Sequence, residues 1–580
     1  MSLLVLPQPV KGILDSRLCV ADQSFYPVMK GATSVNTTSY PATGKSTNVI
    51  SVAAALNSNL IYSRRVLLQV SLKLNITFAN TTNGPLRLIT NENFCLRQFP
   101  LASMMSDCRI QMGTQNFSVS TADLIHPLAA ISGKSSDWRR KLASTTPSQP
   151  DRRQNYADYS QTADNVFGGF NTIQQNYEQS RGAFPMHIVA NPAAAGGSPA
   201  TANTASYLVQ LTEPIFVSPF SFAQDDDKGF TGIEQLYMNF TMLNNWARVL
   251  CQRDAIPAGL TIDTVSAEFM SNPTVIITSL TAPVDMAIPR SINWNWCDLS
   301  YTPSSVYAVA PVAFNAAGLP QGNQVISSSV MQLPTIPWKL MIYGRRSKTE
   351  LQSGVGGPNS VMGFTDTFVP ISNVSINFDN KPNLLSNFSQ QSLYQISQRN
   401  GWDGSFAEWA GYTHGTDPLV LSGIIGLKGG ILLIDPVLDL SASSGGKAPG
   451  VQGNFQLQVS ANFYSTSGAN INTELIICPL YKSSMNITAG VVTTRTACIS
   501  DKDVIDAESS MIPYHEAIGY VGSGWFDSLK STFHKFAPMA RTLVDGASSL
   551  LSNTGHGFTG GAASGAGMTG GSLEGRYRRR

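Results

Sequence analysis

The sequence predicts an all-β protein made of two β-sandwiches in series. Three observations predict it: strict two-residue alternation recurs in both halves of the 580-residue chain, helix signals are few, and long polar connections separate the alternating segments. In the strongest segment Val66, Leu68, Val70, Leu72, Leu74, Ile76 and Phe78 alternate with Gln69, Ser71, Lys73, Asn75 and Thr77, the pattern of a half-buried strand. The alternation returns at Leu236, Met238, Phe240 and Met242, at Val374, Ile376 and Phe378, and at Phe455, Leu457, Val459, Ala461 and Phe463.

Before the first strand, residues 1–55 are rich in Pro, Ser and Thr without periodicity and read as an extended N-terminal arm. Residues 133–161, with the pairs Arg139-Arg140 and Arg152-Arg153, and the Ala/Gly/Pro stretch 191–206 are long excursions of the kind that carry function or lie exposed. The clearest helix within the body runs from Ser389 to Arg399 and is closed by Asn400-Gly401. The apolar stretch 419–440, broken by Lys428, Gly429 and Gly430, reads as two short buried strands about a glycine turn rather than a membrane span. Two stretches of about 200 residues with this pattern suggest two sandwiches, and the jelly roll is the commonest sandwich of eight strands. Pro257 and Gly259 interrupt the pattern, so the expected division is an arm at 1–55, one jelly roll at 56–255, a second at 256–487 and a tail at 488–580.

Within the tail Trp525, Leu529, Phe533, Phe536, Ala540 and Leu543 recur at helical spacing, giving an amphipathic helix over 525–550 with Lys530 and Lys535 off its apolar face. Pro538 kinks it or ends its first part. A Gly-rich linker, 554–571, then leads to a basic terminus at 576–580. From Trp525 onward seven Lys/Arg stand against three Asp/Glu, a net of +4, against −2 for the preceding residues (32 minus 34). Arg576, Arg578, Arg579 and Arg580 on such a tether suit phosphate contacts without sequence preference, and suit a merely solvated tail equally. The helix suits docking on protein, under a neighbouring subunit, better than an anionic membrane, because its polar face carries few cations, and packing on its own domain is the plainer alternative.

Composition narrows the class. Charged residues make up 13% of the chain, about half the usual share, while Ser, Thr, Asn and Gln are spread throughout. Neutral polar groups cost less to desolvate than charges, so the balance suits a protein packed against many copies of itself. The seven cysteines are odd in number and scattered, without CxxC spacing, which indicates neither a disulfide framework nor a zinc site and fits a reducing compartment. The first nine residues lack the basic region of a secretory signal, so sequons such as Asn36, Asn75, Asn239 and Asn387 read as chance matches.

No catalytic, cofactor-binding or metal-ligating set is indicated. The six histidines are dispersed, and neither a HExxH, a GxSxG nor a Walker-type loop is present. Residues 354–357 form a Gly-rich turn, and Asp225-Asp226-Asp227 reads as a solvated loop tip before a cation site. A carbohydrate-binding sandwich is the alternative in another class, but Trp294, Trp296, Trp402 and Trp409 lack an accompanying carboxylate pair and read as core.

Ordered blocks in the second half carry a resemblance. Ile336-Pro337-Trp338-Lys339-Leu340-Met341-Ile342-Tyr343, Thr365-Asp366-Thr367-Phe368-Val369-Pro370-Ile371, Leu393-Tyr394-Gln395-Ile396-Ser397-Gln398-Arg399-Asn400-Gly401, Ser405-Phe406-Ala407-Glu408-Trp409-Ala410-Gly411 and the run from Ala448 to Val459 follow in order. Together they resemble the second jelly roll of double jelly-roll major capsid proteins of virophages and Polinton-like viruses, the lineage of adenovirus hexon. Ser180-Arg181-Gly182-Ala183-Phe184 and the strands about 214–243 extend the likeness more loosely into the first half.

The resemblance implies a non-enzymatic capsid subunit, a homotrimer whose six jelly rolls form a pseudo-hexameric capsomer with upright strands and outward loops. It implies assembly in the host cytoplasm or nucleus into an icosahedral virion, with neighbouring capsomers, penton and minor capsid proteins and the viral genome as partners and no small-molecule substrate. A vertex or spike protein is the alternative virion component, disfavoured by two full β regions. The family often travels with a viral cysteine protease that cuts after Gly-Gly. Met568-Thr569-Gly570-Gly571 before Ser572 fits that preference, which makes Gly571–Ser572 the candidate maturation cleavage; Leu427-Lys428-Gly429-Gly430 fits it too, inside the expected folded body.

Overall fold

The first core is built on a strand whose alternation is complete. In β3, Leu67–Asn80, Leu68, Val70, Leu72, Leu74, Ile76 and Phe78 are each at most 1% exposed, while Gln69, Ser71, Lys73, Asn75 and Thr77 face the other way. Around it the chain forms two antiparallel sheets. One has the order β1 (Ser34–Pro41), β9 (Thr274–Thr281), β3, β6 (Thr201–Pro214), with β8 (Leu260–Phe269) also on β3. The other has the order β2 (Val49–Ala55), β7 (Gln235–Met242), β4 (Met105–Met112), β5 (Gln115–Val119).

The second half repeats this order. One sheet runs β10 (Ser291–Leu299), β18 (Ile471–Thr488), β13 (Lys339–Arg346), β16 (Leu432–Ile434), and β19 (Val491–Thr496) lies on β18. The other has β11 (Gln324–Ser327) and β12 (Met331–Thr335) on β17 (Gln452–Phe463), followed by β14 (Ile371–Phe378) and β15 (Lys381–Leu384). In both halves each sheet alternates strands from the two ends of its own segment, which is the wrapped connection of a jelly roll. Two jelly rolls therefore stand in one chain, each around its own buried cluster.

This computed structural model describes residues 31–80, 84–85, 94–131, 186–190, 193–194, 201–217, 220, 229–252, 260–288, 291–314, 320–353, 366–402, 404–414, 424–440, 448–466, 470–488 and 490–496. Among them no helix is long and apolar enough to cross a membrane and no His/Cys/Asp/Glu group is placed to hold a metal ion.

The domain limits differ from expectation in three places. Residues 34–55 belong to the first roll and not to an arm: β1 pairs with β9 over its whole length and β2 with β7. β1, SVNTTSYP, packs only the partly buried Tyr40 on the core and so shows no alternating inward set, and β2 alternates only through Ile50, Val52 and Ala54. The expected break at 256 falls inside the first roll, since β8 and β9 complete its first sheet. Pro257 and Gly259, outside the described residues, do not mark the boundary between the rolls. The folded body likewise runs past 487, because β18 continues to Thr488 and pairs with β19.

Local structure follows the sequence elsewhere. The helix at 390–399, α3 below, starts after Ser389, whose hydroxyl accepts from the Ser392 amide as an N-cap. In the 419–440 stretch, Ile424–Gly426 and β16 are separate short strands about Gly429 and Gly430, and they join different partners rather than each other. Trp402 and Trp409 are core, 5% and 1% exposed. Cys108, Cys251 and Cys478 are buried.

Candidate assembly interface: the junction of the two jelly rolls

The two rolls are tied by a helix, a shared strand and two buried ion clusters. The helix is α2, Thr121–Ile131, directly after β5, and its first eight residues are all buried. Ile125 packs with Phe99, Ala102 and Phe216 of the first roll, whereas Leu124 and Leu128 belong to the second roll's core. Pro127 inside the helix removes one backbone donor; burial between two rolls outweighs that loss.

The strand beneath it is β13, of sequence KLMIYGRR. A Cβ on Gly344 would stand 2.6 Å from the Phe463 ring, so Leu340, Ile342 and Gly344 face the sandwich interior. Met341, Tyr343 and Arg345 then face outward, yet they are 0%, 1% and 8% exposed. Both faces of this strand are covered.

Asp123 on α2 anchors the first ion cluster. It accepts from Arg345 Nη1 at 2.7 Å, Tyr301 OH at 2.7 Å and Ser120 Oγ at 2.8 Å. Arg345 in turn donates through Nε and Nη2 to Glu474 Oε2 at 3.1 and 3.0 Å. Burial opposes ionisation of Asp123, but Arg345 and the two hydroxyls outweigh it and bring the carboxyl down to about 2. Burial and then the Asp123 contact push the Tyr301 phenol up to about 12.

Asp366 of the second roll anchors the other cluster among cations of the first. Arg248 Nη2 donates to Oδ1 at 2.7 Å, Arg97 Nη1 to Oδ2, and His126 Nε2 lies 3.0 Å from Oδ2. Both guanidiniums also reach the Leu351 carbonyl, from Arg97 Nη2 at 3.3 Å and from Arg248 Nη1 at 3.1 Å. Asp366 is fully desolvated, which alone would raise its pKa; Arg248, Arg97 and His126 together hold it well below the usual carboxylate range. Charges buried this deeply are tolerated only when paired and hydrogen-bonded, so each cluster fixes the rolls in one relative position.

The shared strand is β18. Its first part, Leu475 to Leu480, lies in the second core, while Met485, Ile487 and the following Val492 lie in the first. Thr114 Oγ1 donates to the Val492 carbonyl at 3.1 Å, and at Gly113 (φ 55°) a Cβ would meet the Gly490 carbonyl at 2.8 Å. Only glycine permits that approach.

Trp525, Leu529, Phe533 and Phe536, the Gly571–Ser572 bond, and Arg576, Arg578, Arg579 and Arg580 lie outside the described residues, as do Asp225-Asp226-Asp227 and 354–357. The residues that form the junction had a signal in sequence: Arg97 and Arg248 are single cations inside apolar runs (FCLRQF, NWARVLC) of a charge-poor chain, and Arg345, followed by Arg346, closes another (MIYGRR). A cation so placed needs a buried anion.

Two jelly rolls of one topology locked in a single chain define the class: a double jelly-roll protein. Comparison with known proteins gives the family. A family model described as the Sputnik virophage major capsid protein 1st domain matches residues 11–283, and one described as the major capsid protein V20 C-terminal domain matches residues 307–483. The chain belongs to the virophage-type double jelly-roll major capsid proteins.

It is 24% identical over 554 residues to the putative capsid protein V20 of Sputnik virophage, covering 93% of this chain and 88% of that protein. The cryo-EM structure of the Sputnik virophage matches its fold with a TM-score of 0.70 at 23% identity, over 90% of this chain and 100% of that one. The mavirus major capsid protein matches with a TM-score of 0.66 at 15% identity, over 86% and 98% of the two chains. The protein is thus a structural subunit of a viral capsid shell, located in the virion, and not an enzyme.

Proposed function

We propose that three copies close into a pseudo-hexameric capsomer and that such capsomers tile an icosahedral shell. The observation that carries this reading is the locked pair of rolls. Two sandwiches of the same strand order, held by Asp123 and Asp366 across one junction, act as a rigid double tile. Three such pairs about a threefold axis place six similar sandwiches in a ring and leave no open edge of assembly. The charge-poor composition supports extensive self-contact, as does the uncharged edge strand β1, with Val35 exposed on it.

On the same reading neighbouring capsomers and penton and minor capsid proteins complete the shell. The helix bearing Trp525, Leu529, Phe533 and Phe536 docks on its inner side, and Arg576, Arg578, Arg579 and Arg580 meet the genome. A viral cysteine protease removes the terminus by cleavage between Gly571 and Ser572.

Light scattering on the purified chain reads the assembly directly: a mass three times the 62.3 kDa of the chain is expected, and a stable monomer contradicts the reading. For the tail, intact-mass measurement on subunits from mature particles is expected to return a chain ending at Gly571; the full 580 residues would reject cleavage.

A further inference from the structure

The matched topology of the two rolls assigns α2 an internal counterpart. α2 follows β5 in the first roll, and α3, Gln390–Arg399, follows β15 at the same place in the second. α2 is buried between rolls, lying over the outer face of β13 through Asp123 and Arg345. α3 buries one side, Leu393, Ile396 and Ser397, in its own roll. Its opposite side, Gln391, Gln395 and Gln398, is exposed, with Phe388 just before the helix 41% exposed.

The counterpart of β13 is β3, and its outer face is Gln69, Ser71, Lys73, Asn75 and Thr77, exposed or half-buried. We infer that the Gln391–Gln395–Gln398 face of α3 is a subunit contact that docks on the outer face of β3 in a second copy of this chain. This rests on the trimeric reading above, in which the roll that follows the second one around the ring is the first roll of the next subunit.

Two further observations support that occupant. The helix and strand of each pair match in character: α2 places Leu124 and Leu128 in the apolar cluster that also holds Met341 and Tyr343. α3 offers amides where β3 offers amides and hydroxyls, with Lys73 the single charge on that face of the strand. The surface is also continuous with the junction inside the chain. A Cβ on Gly401, at the end of α3, would stand 3.9 Å from the carbonyl of Ile131, at the end of α2, and Ile131 packs against the same cluster as Tyr394 of α3.

The experiment uses the full chain and the combined variant Gln391→Glu, Gln395→Glu, Gln398→Glu, compared by analytical ultracentrifugation and circular dichroism. The side chains are exposed and near isosteric, so an unchanged spectrum is expected. Three carboxylates buried against β3, where Lys73 can pair with only one of them, are expected to raise the trimer dissociation constant about 100-fold or more. A wild-type trimer with an equally stable variant trimer overturns the assignment of this face while leaving the trimer intact. A wild-type monomer overturns the trimeric reading and the inference with it.

A Gln395→Cys chain gives a second reading that needs no dissociation. Maleimide labelling at position 395, located by peptide mass mapping, is expected to be at least about tenfold slower in trimers than in diluted monomers. Equal rates overturn the proposal.

Discussion

The two jelly rolls share a strand order but treat the outer face of their central strand in opposite ways. β3 keeps strict alternation and leaves Gln69 to Thr77 open, whereas β13 has lost it and is covered on both faces. Alternation marks a strand with one face in water, and a continuous apolar run marks one with two buried faces. The contrast therefore separates the side of the molecule closed within the chain from the side left open on the surface, where the proposed contact with a second copy falls.

Breaking the covered side has the largest expected effect. Asp366→Ala leaves Arg97 and Arg248 buried without their anion and is expected to cost about 3–5 kcal/mol in urea unfolding. A loss below 1 kcal/mol would mean the cluster does not hold the rolls. Leu124→Ala, which removes an apolar contact from α2, is expected to cost about 2–4 kcal/mol by the same measurement.

Acid acts on the same junction. The folded pKa of Asp123, about 2, lies below its ordinary value, so its contribution is fully present above about pH 4 and lost as pH falls toward 2. A shift of that size is worth about 2 kcal/mol, and Asp366, shifted in the same direction, adds to it. Stability measured across that window is expected to fall more steeply in the wild type than in Asp123→Asn. Parallel curves would remove the junction from the explanation of acid sensitivity.

The open side predicts the smallest change. Ser389→Ala removes the N-cap of α3 and is expected to cost about 1 kcal/mol. Gln395→Ala, on the exposed face of α3, is expected to change monomer unfolding by no more than about 0.5 kcal/mol. A large loss there would place the α3 glutamines in the fold rather than at a subunit contact.

Much of the fold was legible because β3, β7, β14 and β17 carry a period of two, and Ser389 with Asn400-Gly401 brackets α3. What escaped did so for physical reasons. β1 is an edge strand with only Tyr40 turned to the core, and α2 is short, interrupted by Pro127 and buried over its first eight residues, so it shows no amphipathic stripe. The junction escaped because its partners are far apart in the chain: Arg97 meets Asp366 across 269 positions and Asp123 meets Arg345 across 222. The cations could be seen as misplaced in apolar runs, but only the packed rolls identify their anions.

Negative-stain electron microscopy of the purified chain tests the central claim most directly. Particles with threefold symmetry and a hexagonal outline of six similar lobes are expected from three locked pairs of rolls. Two-lobed single particles, or rings of five, would contradict it.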